Sequence, residues 1–179
     1  MTMLLLPLVF LLLLACSAFF SSAETAYFSV DPIQLRRIAE KHPNTGERLR
    51  AILASPTRLL STILIGNTLV NIAIANVGYA IADFWAPAYA EAIAIPAVTL
   101  LLIFFGEIGP KNIGLLYTTA LVRFYGPSLR FTERLLSPLR FLLELVSRRL
   151  APLLRPTGRT LSEEEFETVL DISREEGIL

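Results

Sequence analysis

Polar residues that recur at helical spacing on an apolar background set the chemistry this chain can do. Ser17, Ser21 and Thr25 follow one another at intervals of four, with Glu24 beside them on nearly the same face. Asn67 and Asn71 share a face of a second apolar segment. In a third, "FGEIGPKNIG" sets Gly106, Gly109 and Pro110 around Glu107, with Lys111 one turn on. Pro110 has no N–H to donate to the carbonyl of Gly106, one turn earlier. The donor set is therefore hydroxyls, amide oxygens, a freed carbonyl and carboxylates, without sulfur or imidazole. An all-oxygen set suits Mg²⁺, Ca²⁺ or Na⁺ rather than zinc or copper. The candidate ligands are Ser21, Glu24, Asn67, Asn71, Gly106 and Glu107.

Other chemistries have little to work with. Cys16 is the single cysteine, so neither an intrachain disulfide nor a cysteine-cluster metal site is available. His42, the single histidine, lies in the turn-like "KHPNTG". "SSAE" offers a serine and a glutamate, but Lys111 is the sole base in a span, so serine catalysis is not expected and the chain is read as no enzyme. "LLAC" ending at Cys16 resembles a lipoprotein processing box, yet no Lys or Arg precedes Arg36, where a signal peptide wants positive charge before its apolar core. Cys16 is expected to be an ordinary small residue in a membrane helix.

The elements that position these groups follow from composition. Of 179 residues, 54% are hydrophobic and 18% charged, well above the apolar share of a soluble domain. A bilayer core needs about 20 apolar residues per helix. Three segments qualify: about 3–28, 60–82 and 92–116. Between the first two lie Arg36, Arg37, Lys41, Arg48, Arg50 and Arg58; between the second and third, "DFWAPAYAE" holds no Lys or Arg. After the third come Arg123, Arg130, Arg134 and Arg140. The positive-inside rule then places the N-terminus outside and the basic loop and C-terminus in the cytoplasm, with Trp85 and Tyr89 in an outer aromatic belt.

That topology converges the polar groups. At 1.5 Å per residue, Ser21 lies roughly 27 Å along span one, Asn67 roughly 10 Å and Asn71 roughly 16 Å into span two, and Glu107 roughly 22 Å along span three. Ser21, Glu24, Asn67 and Glu107 fall in one layer, the cytoplasmic third. A carboxylate at the centre of a span costs about 2.5–3.5 kcal/mol even on the insertion scale, so such groups face a protein interior or a water cavity. Two plainer roles stay open: serines and asparagines that only bond across helices, as expected for Asn76, and a Glu107–Lys111 pair at i, i+4.

Outside the spans, "DPIQLRRIAEKH" opens with Asp31 as N-cap and Pro32 as first helical residue. Ile33, Leu35 and Ile38 beside arginines predict a helix along the membrane surface. "PNTG" is expected to end it, with a second short helix over 47–53. Residues 130–154 repeat apolar positions at helical spacing with arginines between, predicting amphipathic helices broken near Pro138 and Pro152. A capping box of Ser162 and Glu165 starts another, with Phe166, Val169, Leu170 and Ile172 as its stripe. After Arg159 come seven acids against one base. An acidic tail on a mildly basic membrane body is not the footprint of a nucleic-acid binder. The fold class is thus an all-α membrane protein. Three transmembrane helices with broken polar segments and juxtamembrane helices (about 31–58) make a module over 1–119. A cytoplasmic amphipathic and acidic bundle follows over 120–179.

"SSAETAYFSVDPIQLR", "IGNTLVN" and "FGEIGPK", in this order and spacing, resemble the transmembrane domain of the cyclin M/CorC family of magnesium transporters. The resemblance covers nearly the whole chain. It implies a homodimeric three-span module in a prokaryotic inner membrane, in contact with lipid, that exports or exchanges Mg²⁺; Na⁺ is a second candidate ion. It places Ser21, Asn67 and Glu107 on the family's ion-site motifs, with Asn71 and Pro110 at further motif positions and Ser22 at a less strict one. The family continues into a pair of CBS domains, so ATP would act only through a part absent from this sequence. A Mg²⁺ sensor or scaffold without transport is the alternative.

The topology is testable by single-cysteine accessibility in a Cys16→Ala background. Labels over 31–58 and beyond about 118 should react only from the cytoplasm; reaction of 83–91 from that side would overturn the assignment.

Overall fold

The computed structural model describes residues 2–154, which are helical nearly throughout. The capping box at Ser162 and the acidic tail lie outside the described residues. Residues up to Arg140 pack as one unit, and those from Phe141 belong to a second.

Three stretches are long and apolar enough to cross a membrane: Leu5–Phe28, Pro56–Trp85 and Pro87–Leu116. The first is most of α1 (Thr2–Phe28) and the second is α4 (Pro56–Trp85). The third begins with a 3₁₀ turn at Pro87–Tyr89, continues as α5 (Ala90–Leu101), passes through a π-helical segment at Leu102–Ile108 and ends as α6 (Gly109–Leu116). α2 (Pro32–Lys41) and α3 (Pro43–Leu53) join the first two spans, and α7 (Thr118–Leu135) follows the third. The three helices α2, α3 and α4 each start with proline at the first helical position, where a missing N–H has no cost. Asp31 caps α2 through its carboxylate, accepting from the Gln34 N–H.

Three details differ from expectation. "PNTG" does not end α2. It is the first turn of α3, and the junction is His42 alone. The approach is tight, since a Cβ on Gly46 would stand 2.5 Å from the Cα of Ala39. Pro152 does not break a helix either: α8 (Ser137–Leu154) runs past it, while the break near Pro138 is present as the junction at Leu136. Third, the polar segment of the last span is not broken. The N–H of Gly109 bonds the carbonyl of Phe104, five residues back. A proline ring clashes with the carbonyl four residues before it. A widened π turn just upstream absorbs the mismatch and keeps the helix continuous.

The core sits at the end of the spans that carries the basic loop. Phe20, Ala23, Ala26 and Tyr27 of α1 pack with Ile38, Leu49, Ile52, Leu59 and Ile63, and with Val122 and Leu129 of α7. α7 buries Thr118, Val122, Gly126 and Leu129, a face at nearly four-residue spacing. It is fixed to α1 by polar and aromatic contacts: the Tyr27 hydroxyl donates to the Val122 carbonyl at 3.1 Å, and Phe19 meets Tyr125 edge-on at 4.7 Å between ring centres. Arg58 of α4 reaches Glu133 of α7 at 3.7 Å. On α2, Ile38 enters this core while Ile33 stays exposed. At the opposite end, Gly78 lets α4 approach α5, for its Cβ would meet Val98 at 2.3 Å.

α6 crosses α1 at a close backbone contact. A Cβ on Gly114 would stand 2.7 Å from the Ser22 carbonyl oxygen, whereas one on Gly126 would meet nothing nearer than the Tyr27 hydroxyl at 3.6 Å. Gly114→Ala should therefore lower the thermal midpoint in detergent, with an overpacking cost of about 1–3 kcal/mol. Gly126→Ala should lower it less, since its Cβ meets only the neighbouring Pro127 ring and the Tyr27 hydroxyl rather than the backbone of another helix. A raised midpoint for Gly114→Ala would contradict the close crossing.

Candidate functional site

The stripe on α1 faces the other two spans. Ser17 and Ser21 are almost wholly buried. The Ser17 hydroxyl lies 2.8 Å from the Oδ1 of Asn71 and 3.3 Å from that of Asn67. One turn on, the Ser21 hydroxyl donates to the main-chain carbonyl of Glu107 at 3.3 Å. A further turn on, Glu24 Oε2 meets Lys111 Nζ at 3.5 Å. Parallel packing creates this ladder: α1 and the third span run the same way and present residues to one another at successive turns, and α4 fills the side nearer Ser17.

Hydrogen-bond capacity explains why this layer is chemically unusual. A hydroxyl carries a single proton, so Ser17 can satisfy one asparagine oxygen at a time. Two amide oxygens, two hydroxyl oxygens and the Glu107 carbonyl gather here, and the asparagine amides add N–H donors of their own. Neutral oxygens gathered between three spans are ligands of the kind a hard cation takes. Among the described residues no group of three or more His, Cys, Asp or Glu side chains gathers to hold a metal, so neutral oxygens dominate.

The candidate residues divide accordingly. Ser21, Asn67 and Asn71 are brought into the layer. Gly106 enters through its missing side chain: a Cβ there would stand 2.9 Å from the Ser17 oxygen. The carbonyl the structure brings to a polar partner is that of Glu107. The Glu107 carboxylate is on the exposed surface of the chain, between the exposed side chains of Phe104 and Ile108. Lys111 pairs with Glu24, not with Glu107, so the expected i, i+4 pair is replaced by one between helices. Asn76 bonds the Ile72 carbonyl of its own helix and does not bridge spans. Ser22 is also spoken for, by the carbonyls of Ala18 and Phe19 and by the Tyr125 hydroxyl.

Ser17 was missing from the ligand set. Its four-residue offset from Ser21 was the available signal, and the choice between the two needed the packing of α4.

The profile of the cyclin M transmembrane N-terminal domain matches residues 8–179. The chain belongs to this family. It is similar to the UPF0053 inner membrane protein YfjD of Escherichia coli (strain K12), at 31% identity over 163 residues, covering 88% of this chain and 38% of that protein. A chloroplastic DUF21 domain-containing protein of Arabidopsis thaliana is 32% identical over 168 residues, 91% of this chain and 25% of its own length. A UPF0053 protein of Haemophilus influenzae is 27% identical over 169 residues, 90% of this chain and 40% of its own. The chain thus spans about a quarter to two fifths of the relatives it matches. As a cyclin M domain with three membrane-length helices, it is a multi-pass membrane protein.

The two asparagines are distinguishable by stability. Hydrogen bonds between membrane helices contribute about 0.6 kcal/mol on average and up to about 1.7. Asn71→Ala, which removes the shorter bond to Ser17, should lower the thermal midpoint in divalent-free detergent more than Asn67→Ala. The reverse order would assign the Ser17 proton to Asn67.

Proposed function

We propose that this domain carries Mg²⁺ across the membrane through the polar layer at Ser17, Ser21, Asn67, Asn71 and the Glu107 carbonyl. The observation that carries the reading is the gathering of neutral oxygens from Ser17, Ser21, Asn67, Asn71 and the Glu107 carbonyl between three spans. Membership of the cyclin M family supports Mg²⁺ as the cargo. The small hard ion takes oxygen ligands and keeps several waters, which suits a layer of neutral oxygens.

Charge compensation would come from carboxylates nearby. A divalent ion leaving water needs negative charge that neutral oxygens do not supply. Glu107 is the carboxylate of the third span, and its side chain stands among exposed apolar groups, where a bare charge in lipid is costly. A second copy of the chain against this face, or the arriving ion, would relieve that cost; a twofold homodimer is part of this proposal. The basic loop and α7 would lie in the cytoplasm of a prokaryotic cell, with the N-terminus outside. Export or exchange of Mg²⁺ is then the function, with Na⁺ as the second ion to examine. Nucleotide would act only through regions beyond this chain.

Titration calorimetry on the purified chain orders the ligands. Glu107→Ala should lose Mg²⁺ binding while keeping the assembly state, and Asn67→Ala should weaken it less, since it removes one neutral oxygen. Wild-type affinity in Glu107→Ala would move the charge to Glu24. Binding without Mg²⁺ flux in liposomes would make the domain a sensor rather than a carrier.

A further inference from the structure

The geometry points to the Glu24–Lys111 ion pair as a built-in closure of the ion path: Lys111 occupies the carboxylate of Glu24 and gives it up to the entering Mg²⁺. This rests on the proposed Mg²⁺ carriage. Glu24 is three residues beyond Ser21 on α1, and Lys111 four beyond Glu107 on α6, so both stand about one turn from the Ser21–Glu107 contact. Together they line a cavity of about 370 Å³ with Thr25, Phe28, Ser29 and Leu60. This open pocket lies at the end of the spans that carries the basic loop, about one turn of α1 beyond Ser21.

The pair does not look like a staple. Its 3.5 Å separation is longer than the about 2.7–2.9 Å of a charge-assisted hydrogen bond. The side chains remain 36% exposed for Glu24 and 49% for Lys111, and exposed ion pairs contribute little to stability. The fold is already tied at this level by the Gly114 crossing and the α7 contacts. What the pair does is hold a tethered monovalent cation against a carboxylate at the entrance to a cation layer. An ammonium bears one charge and a Mg²⁺ ion two, so the divalent ion competes for the carboxylate with the stronger field. Lys111, on a flexible four-carbon stem, can swing into the cavity when displaced.

A closure of this kind has a signature that a structural pair lacks. Flux is measured in proteoliposomes of the full chain with a Mg²⁺-sensitive dye. Glu24→Gln should raise the KM for Mg²⁺ several-fold. Lys111→Met, which frees the carboxylate, should lower it several-fold. The double variant should match Glu24→Gln, because Lys111 acts only through Glu24. Lys111→Arg keeps the charge and binds the carboxylate with a two-pronged fork, so it should raise KM; this variant serves should Lys111→Met fail to fold. Shifts in the same direction for Glu24→Gln and Lys111→Met, or an unchanged KM in Lys111→Met or Lys111→Arg, would overturn the closure. A wild-type protein that moves no Mg²⁺ would instead remove the carrier reading itself.

Discussion

The Ser17 hydroxyl set between two asparagine oxygens is the interaction on which the membrane interior depends. Ser17 is a buried residue of α1, and its single proton serves one of the two oxygens at a time. The arrangement persists because the packing that imposes it is fixed elsewhere: Gly106 lets the third span close on Ser17, and Gly66 lets the Phe20 ring lie against α4. The polar layer is held in place by the apolar scaffold around it.

The scaffold is organised around α1. Its stripe of small residues presents Ser17 to α4, Ser21 to the third span and Ala26 and Tyr27 to α7. The large side chains of α1 on the other faces, such as Leu5, Leu8, Leu11 and Leu12, are exposed, as suits a helix whose solvent is lipid on those sides. The core proper is displaced to the end with α2, α3 and α7. The helices there bury the residues that a lipid-facing span leaves bare.

Much of this was legible in the sequence. Three spans, the Asp31 cap and the meeting of Ser21 with span three follow from hydropathy, capping chemistry and helical rise. These signals are local or depend only on length. What was not legible depended on how helices rotate against one another. Rise gives depth but not azimuth, so Glu107 was placed at the right level while its carboxylate proved to point away and its carbonyl inward. The same blindness to azimuth kept the Ser17–asparagine contacts and the Lys111–Glu24 pair from being read off the sequence. "PNTG" misled because Pro, Asn and Gly favour turns and also the first turn of a helix.

The π turn at Leu102–Ile108 has a mechanical consequence. Along the third span the buried positions Ala90, Ala94, Val98, Gly106, Pro110 and Gly114, with half-buried Leu102 between Val98 and Gly106, keep a period of four. An α-helix advances about 100° per residue, so each four-residue step drifts by about 40°. The extra residue in the widened turn takes back about 100° of that drift. It lets one unbroken rod lean on α4 at its start and on α1 at its end. Rewinding the turn to α geometry would rotate everything after it as a rigid crank. The Glu107 carbonyl and the backbone of Lys111 ride on the same crank, so such a rotation would move both together, whereas the Lys111 ammonium can also move alone on its stem.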